Sequence, residues 1–139
     1  MNAQYLAVRQ FHQAFGHPVA NIPTALSIER TKDRSKWMIE EIGEFISASA
    51  SGDVVGQADG MIDLIYFALG TLVEMGVEPE ELFKIVQGAN MAKLFPDGKP
   101  RYNATGKVIK PPGWVSPEPL IEAEIARQRK LALDAAGST

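Results

Sequence analysis

The sequence contains no cysteine, which excludes disulfides, zinc–thiolate sites and thiol nucleophiles. Its only histidines are His12 and His17. Neither follows a glutamate by three positions, so the Glu-x-x-His pairs of a carboxylate-bridged di-iron bundle are missing. A histidine beside core aromatics, as His12 is, reads as structural. The formal charge is −3 and no helix is basic, so nothing draws the chain to nucleic acid or to an anionic membrane. The opening MNAQYLAVRQ has no apolar signal core. The longest apolar region, Met61–Val77, is interrupted by Asp63 and Glu74 and falls short of the about 20 clean apolar residues of a membrane span. These absences predict a cytoplasmic protein with no nucleic-acid and no membrane partner. With 139 residues, 45% of them apolar, and no internal repeat, a single domain over residues 1–139 is expected.

Apolar residues recur at helical spacing along most of the chain. Tyr5, Leu6, Val8, Phe11, Ala14 and Phe15 predict a helix over 3–15, ended by Gly16 and Pro18. Pro18 and Pro23 keep 16–27 extended, where Asn21 suits a turn or cap. A second helix is expected from about Ser27 to Ser51, basic in its first half and acidic in its second. A third, Val54 to Met75, is the most apolar. A fourth starts at Pro79 and ends near Asn90–Lys93. Residues 94–116 are rich in turn signals and basic side chains, with Tyr102 and Val108 suggesting at most a small hairpin. A C-terminal helix over 117–136 follows, then a tail, Gly137–Thr139. The expected fold is all-α: a four-to-five-helix bundle, core about 3–93, with a small hairpin or irregular basic segment before the last helix.

The chemistry concentrates in Trp37-Met38-Ile39-Glu40-Glu41-Ile42-Gly43-Glu44-Phe45. At about 100° per residue, Glu40, Glu41 and Glu44 share one side of a helix within about 100° of arc. Carboxylates at such spacing repel one another, and a divalent cation is the simplest group that offsets the repulsion. On the next helix Asp59 and Asp63 also share a face, inside an apolar run. An ionised carboxylate there needs a partner, either an arginine or lysine or a metal. Taken with the preceding acidic cluster, the metal reading is preferred. Oxygen ligands without sulfur suit Mg2+, or Mn2+. Such a site suits phosphoanhydride hydrolysis, with metal-bound phosphate, a glutamate taking a proton from water, and cations on the leaving group. Arg34 and Lys36 read either as ordinary surface charge or as cations that pair with a phosphate or with a site carboxylate. Asn90 and Lys93 lie about one turn apart, and Lys99, Arg101, Lys107 and Lys110 surround Tyr102 in the most basic stretch.

This pattern resembles the all-α nucleoside triphosphate pyrophosphohydrolase superfamily, which includes MazG proteins, dimeric dUTPases and phosphoribosyl-ATP pyrophosphohydrolase. The family signature is Glu-Glu-x-x-Glu on one helix and Glu-x-x-Asp on the next. Glu40-Glu41-Ile42-Gly43-Glu44 matches the first half, and Asp63 matches the closing aspartate. The resemblance spans roughly residues 5–116 and is closest to the MazG-related, phosphoribosyl-ATP pyrophosphohydrolase-like branch, through Phe11-His12, Asp59–Tyr66, Asn90-Met91 with Lys93, and Asp97-Gly98-Lys99. It implies cleavage of a nucleoside triphosphate between the α and β phosphates. It also implies Glu41, Glu44 and Asp63 as principal magnesium ligands, Glu40 and Asp59 in support, and Glu41 or Glu40 activating the water. Lys93, Lys99 and Arg34 would meet phosphates, and Asn90 and Tyr102 would complete the substrate contacts. The substrate would be dUTP or another non-canonical nucleotide, and the assembly a homodimer or homotetramer. One departure stands out: Gly60 occupies the position where the signature has glutamate, and Asp59 is one residue earlier, turned by about 100°. The alternative is a non-catalytic nucleotide- or metal-binding helical oligomer.

Overall fold

The breaks between helices fall where the side chains stop a helix. The computed structural model describes residues 1–138; Thr139, the end of the expected tail, lies outside the described residues. The helices are α1 (Asn2–Phe15), α2 (Ile28–Ala50), α3 (Val54–Met75), α4 (Pro79–Met91) and α5 (Glu118–Gly137). Gly16 ends α1 with φ of 70°, its N–H donating to the His12 carbonyl. Such a left-handed residue costs glycine least. Ser27 caps α2 by accepting from the Arg30 N–H at 3.2 Å. Asp53 caps α3, accepting from the N–H groups of Val55 and Gly56 at 3.0 and 3.1 Å. Pro79 opens α4, where its missing N–H costs nothing. Gly137 belongs to α5 rather than to the tail.

Only Ser51, Gly52 and Asp53 separate α2 from α3, so the two helices pair as an antiparallel hairpin, the most extensive packing in the fold. Residues near the start of α2 meet the end of α3: Arg34 donates to the Thr71 hydroxyl and the Phe67 carbonyl. Residues in the middle of α2 meet the first half of α3, where Gly60 faces Glu41 and Phe45. Helix α1 packs on α3, and Tyr5, Val8, Leu69 and Val73 form the buried core, with Val19 and Leu72 against it. The chain then bends by 117° into α4, which carries α5. Gln128 on α5 brackets the start of α4, donating to the Glu78 carbonyl at 3.0 Å and accepting from its N–H at 2.9 Å. Among the described residues there is no strand; the basic segment is irregular and holds one antiparallel bridge, Tyr102–Val108. Among the described residues, too, no single helix is long and apolar enough to cross a membrane.

A buried ionic cluster joins α2 to α3. The Glu74 side chain is 1% exposed. Arg30 Nη2 donates to its Oε1 at 2.5 Å, and Arg34 Nε lies 3.6 Å from its Oε2. Burying these charges is tolerable because they are paired, Arg30 also reaching Asp33 at 3.6 Å, although Glu74 Oε2 and Arg30 Nε are sealed without a hydrogen-bond partner. Gly70 explains how they fit: a Cβ there would stand 2.2 Å from Arg34 Nη2 and 2.8 Å from His12 Nε2. Alanine at 70 gains about 1 kcal/mol of helix propensity but displaces a pinned guanidinium, an overpacking cost of about 1–3 kcal/mol. Gly70→Ala is therefore expected to lower the urea midpoint; an unchanged or higher midpoint would mean that Arg34 is free to move aside.

Candidate active site

The acidic residues lie along the groove of the α2–α3 hairpin. Glu41 occupies the centre: it faces α3 and is half-buried, whereas Glu40, Glu44 and Asp59 are exposed and Asp63 is half-buried. One Glu41 oxygen, Oε2, is sealed from solvent without a hydrogen-bond partner. Burial, followed by the charges of Glu44, Asp63, Asp59 and Glu40, pushes its pKa above the usual carboxylate range. The four other carboxylates therefore act on one point, Glu41. Their oxygens are not drawn into a closed cage: among the described residues no set of three or more carboxylate or imidazole groups is close enough to hold an ion without side-chain movement. Uncompensated like charges at close spacing keep long side chains apart, and glutamate has the rotamer freedom to close on a cation. The donor set fits a hard divalent ion in kind, since every donor is a carboxylate oxygen.

Gly60 has a steric cause. A Cβ there would lie 3.2 Å from the Glu41 carbonyl oxygen and 3.3 Å from the Phe45 nitrogen. This position points into the α2 backbone, so a glutamate here would be directed between the helices, not into the groove. Asp59, turned by about 100°, is the neighbour that reaches the acidic face.

Just beyond the carboxylates, toward the open end of the hairpin, lies a cavity of about 260 Å³ lined by Phe11, His12, His17, Arg34, Trp37, Tyr66 and Phe67. Trp37 precedes Glu41 and Phe67 follows Asp63 by four residues, so these cavity walls are offset from those acids by about 6 Å along the helix axes. Its walls are aromatic: Trp37 and Phe67 have ring centroids 5.9 Å apart, and Phe11 stacks on His17 at 5.8 Å and meets Tyr66 edge-on at 5.7 Å. Its floor is polar. His12 pairs its Nδ1 with the Pro18 carbonyl at 2.9 Å. Burial lowers the His12 pKa, with Arg34 adding to the effect, so the ring is neutral and donates from Nδ1. A planar, partly polar ring is the natural occupant of such a site. Sequence reasoning took His12 as structural and did not assemble this cavity. The available signal was the one-turn spacing of Trp37 from Glu41 and of Phe67 from Asp63.

The expected phosphate ligands fall in two places. Arg34 does not stand free beside the acids: it is buried, tied to Glu74, Thr71 and the Phe67 carbonyl, and it forms the cavity floor. The carboxylate it pairs with is Glu74, outside the acidic groove. Asn90, Lys93, Lys99 and Tyr102 lie at the end of α4 and in the basic segment. Lys93 donates to Asn90 Oδ1 at 2.8 Å and sits over the Trp114 ring, as Lys110 does. Lys99 closes a turn with Asp97 and Phe95, and Tyr102 is held by its bridge to Val108. Among the described residues no hydrogen bond or ion pair links this group to the acidic groove. A larger cavity, about 640 Å³, lies between α4, residues 111–117 and Leu120; it includes no residue of α2 or α3.

The chain matches the family profile of phosphoribosyl-ATP pyrophosphohydrolase over residues 8–90. Its structure is similar to the crystal structure of a "putative NTP pyrophosphohydrolase" from Exiguobacterium sp. 255-15, with 39% sequence identity, a TM-score of 0.55, and coverage of 91% of this chain and 96% of that one. None of the curated proteins matches the chain significantly. The fold and the paired acidic helices are those of the all-α NTP pyrophosphohydrolase superfamily. Within it, the chain belongs to the phosphoribosyl-ATP pyrophosphohydrolase family.

If the five acids crowd one another as described, removing the central charge stabilises the metal-free protein. A carboxyl whose folded-state pKa is raised contributes stability below its ordinary pKa and loses it as pH rises through the folded value. Glu41→Gln is thus expected to raise the melting temperature in chelator at neutral pH, with the gain vanishing in acid where wild-type Glu41 is protonated. A lower melting temperature at neutral pH would show that Glu41 is not under repulsion.

Proposed function

We propose that this protein is a metal-dependent nucleoside triphosphate pyrophosphohydrolase that cleaves between the α and β phosphates, giving a nucleoside monophosphate and pyrophosphate. The observation that carries the reading is Glu41: its sealed, unpartnered oxygen faces four further carboxylates, one helical turn from an aromatic cavity. Family membership supports the same chemistry. Glu41, Glu44 and Asp63, with Asp59 and Glu40, would hold Mg2+ or Mn2+. When bound, the ion supplies charge neutralisation and polarises a phosphoryl oxygen.

The base enters the aromatic cavity and stacks on its walls, which directs the triphosphate along the groove toward the acids. A water oxygen bonds to the α-phosphorus, the bond from that phosphorus to the α–β bridging oxygen breaks, and pyrophosphate leaves. The water's proton passes to Glu41 or Glu40. Asn90, Lys93, Lys99 and Tyr102 remain the candidates for meeting the leaving phosphates. The substrate favoured is dUTP or another non-canonical nucleotide. Gly60, which leaves no carboxylate at that position, is what favours the alternative, a non-catalytic binding module.

A second copy is part of the reading. Ile39, Ile42 and Ile46 are 66%, 41% and 61% exposed and form a stripe on the side of α2 opposite the carboxylates, as about 100° per residue places them. An apolar stripe of this kind is suited to burial in a homodimer, or in one contact of a homotetramer. Sedimentation equilibrium is expected to show a dimer or tetramer that Ile42→Glu dissociates; a monomeric wild type would refute the assembly.

Pyrophosphate release from a panel of common and damaged nucleoside triphosphates tests the chemistry. Wild type is expected to release pyrophosphate, not phosphate, only with Mg2+ or Mn2+. Asp63→Asn and Glu44→Gln should lower kcat by about 100-fold or more, the scale of losing a directly acting charged group. Metal-independent turnover, or full activity in both variants, would overturn the proposal.

A further inference from the structure

The acidic groove has few cations on its own hairpin. Helix α3 carries no lysine or arginine. Helix α2 carries Arg30, Lys32, Arg34 and Lys36, all in its first half. Arg30 and Arg34 are drawn onto the buried Glu74. Lys32 precedes Glu40 by eight residues, about 12 Å along the axis. Lys36 is the last cation before the acids, four residues and about 6 Å from Glu40. At about 100° per residue, Lys36, Glu40 and Glu44 fall within about 80° of arc, and all three are exposed. The residue after Lys36 is Trp37, a wall of the aromatic cavity. Lys36 therefore flanks the passage between cavity and acids. Among the described residues its ammonium forms no hydrogen bond or ion pair. Asp33, one turn before it, lies against Arg30 at 3.6 Å instead. Glu40, one turn after it, stands in the weaker orientation for a helical pair, with the lysine N-terminal to the glutamate.

We propose that Lys36 binds the α-phosphate of the substrate, its ammonium donating to a non-bridging oxygen of the phosphorus that water attacks. This role rests on the function proposed above. With the base in the cavity and the scissile bond at the acids, the sugar and the α-phosphate lie between them, alongside Lys36. Phosphoryl transfer leaves the protein mainly charge to stabilise, on the oxygens around the phosphorus. A compact ammonium on a flexible stem suits that task. Lys36 keeps its proton throughout, because the water's proton goes to a glutamate. A triphosphate also has to enter a groove of its own sign, and a cation beside the path favours entry. Of the two cations that the sequence puts forward for a phosphate, Arg34 is taken up by Glu74, which leaves Lys36.

Isothermal titration calorimetry with Mg2+ present compares dUMP with deoxyuridine, and AMP with adenosine. Within each pair the ligands differ only by the phosphate. The ratio of their affinities therefore reads the α-phosphate contact without hydrolysis, whichever base is preferred. Wild type is expected to bind each monophosphate more tightly than its nucleoside. Lys36→Gln should cut that ratio by roughly 10-fold, the low end for a hydrogen bond to a charged group. Nucleoside affinity, pyrophosphate affinity and melting temperature should stay at wild-type values, since the side chain is exposed. Lys36→Arg keeps the charge and should keep most of the ratio. The inference is overturned by no binding of either pair, or by a wild type that binds monophosphate no better than nucleoside. An unchanged ratio in Lys36→Gln, a loss as large in Lys36→Arg, or weakened pyrophosphate binding with an intact ratio would overturn it equally. Pyrophosphate release by the same preparations separates the two readings. Hydrolysis by wild type with an unchanged ratio in Lys36→Gln sinks only the role of Lys36; a reduced ratio without hydrolysis by wild type sinks only the catalytic assignment.

Discussion

The repulsion that Glu40, Glu44, Asp59 and Asp63 exert on Glu41, with no cation offsetting it among the described residues, is the constraint around which this structure is arranged. Glu41 bears most of it: the hairpin presses it against α3, seals one of its oxygens and surrounds it with Glu40, Glu44, Asp59 and Asp63. Elsewhere the chain handles buried charge differently. Glu74, more deeply buried, has Arg30 and Arg34 against it. One hairpin thus holds a neutralised cluster at its open end and an unneutralised one along its middle. The proposed cation site rests on that contrast.

Two glycines on α3 allow both clusters. Gly60 lets α2 approach closely enough for Glu41 to sit at the interface, and Gly70 leaves room for the Arg34 guanidinium and the His12 ring. Each costs helix propensity, and each is explained by what a methyl group would strike. Between them, Trp37, Tyr66 and Phe67 wall the cavity. Aromatic cavity, acidic groove and ionic cluster are consecutive turns of the same helix pair, so displacing one turn disturbs its neighbours.

Much of this was legible in the sequence. The boundaries of α2 and α3 follow from Ser27, Asp53 and Gly76, whose side chains or conformational freedom end helices locally. The bridge between Tyr102 and Val108 follows from the turn residues between them. Helical periodicity groups Glu40, Glu41 and Glu44 on one side of α2 and Asp59 and Asp63 on one face of α3, while the packing of α2 on α3 brings the two groups together. What escaped depends on tertiary packing. Arg34 reads as a surface cation because the sequence does not show that Glu74, forty residues on, is buried beside it. The aromatic cavity escaped because Phe11 and His17 come from α1 and the following linker, and no local rule places them opposite Trp37. Gly60 reads as a lost ligand until the α2 backbone is seen against it.

The most direct test of the central claim is binding of Mn2+ itself, read by the loss of its free-ion electron paramagnetic resonance signal. Wild-type protein is expected to remove the signal up to a fixed stoichiometry per chain, and a folded Glu41→Gln, Glu44→Gln, Asp63→Asn triple variant to leave it undiminished. Equal uptake by the two proteins would mean that the groove is not a cation site, and the account of why these helices carry their acids would fail.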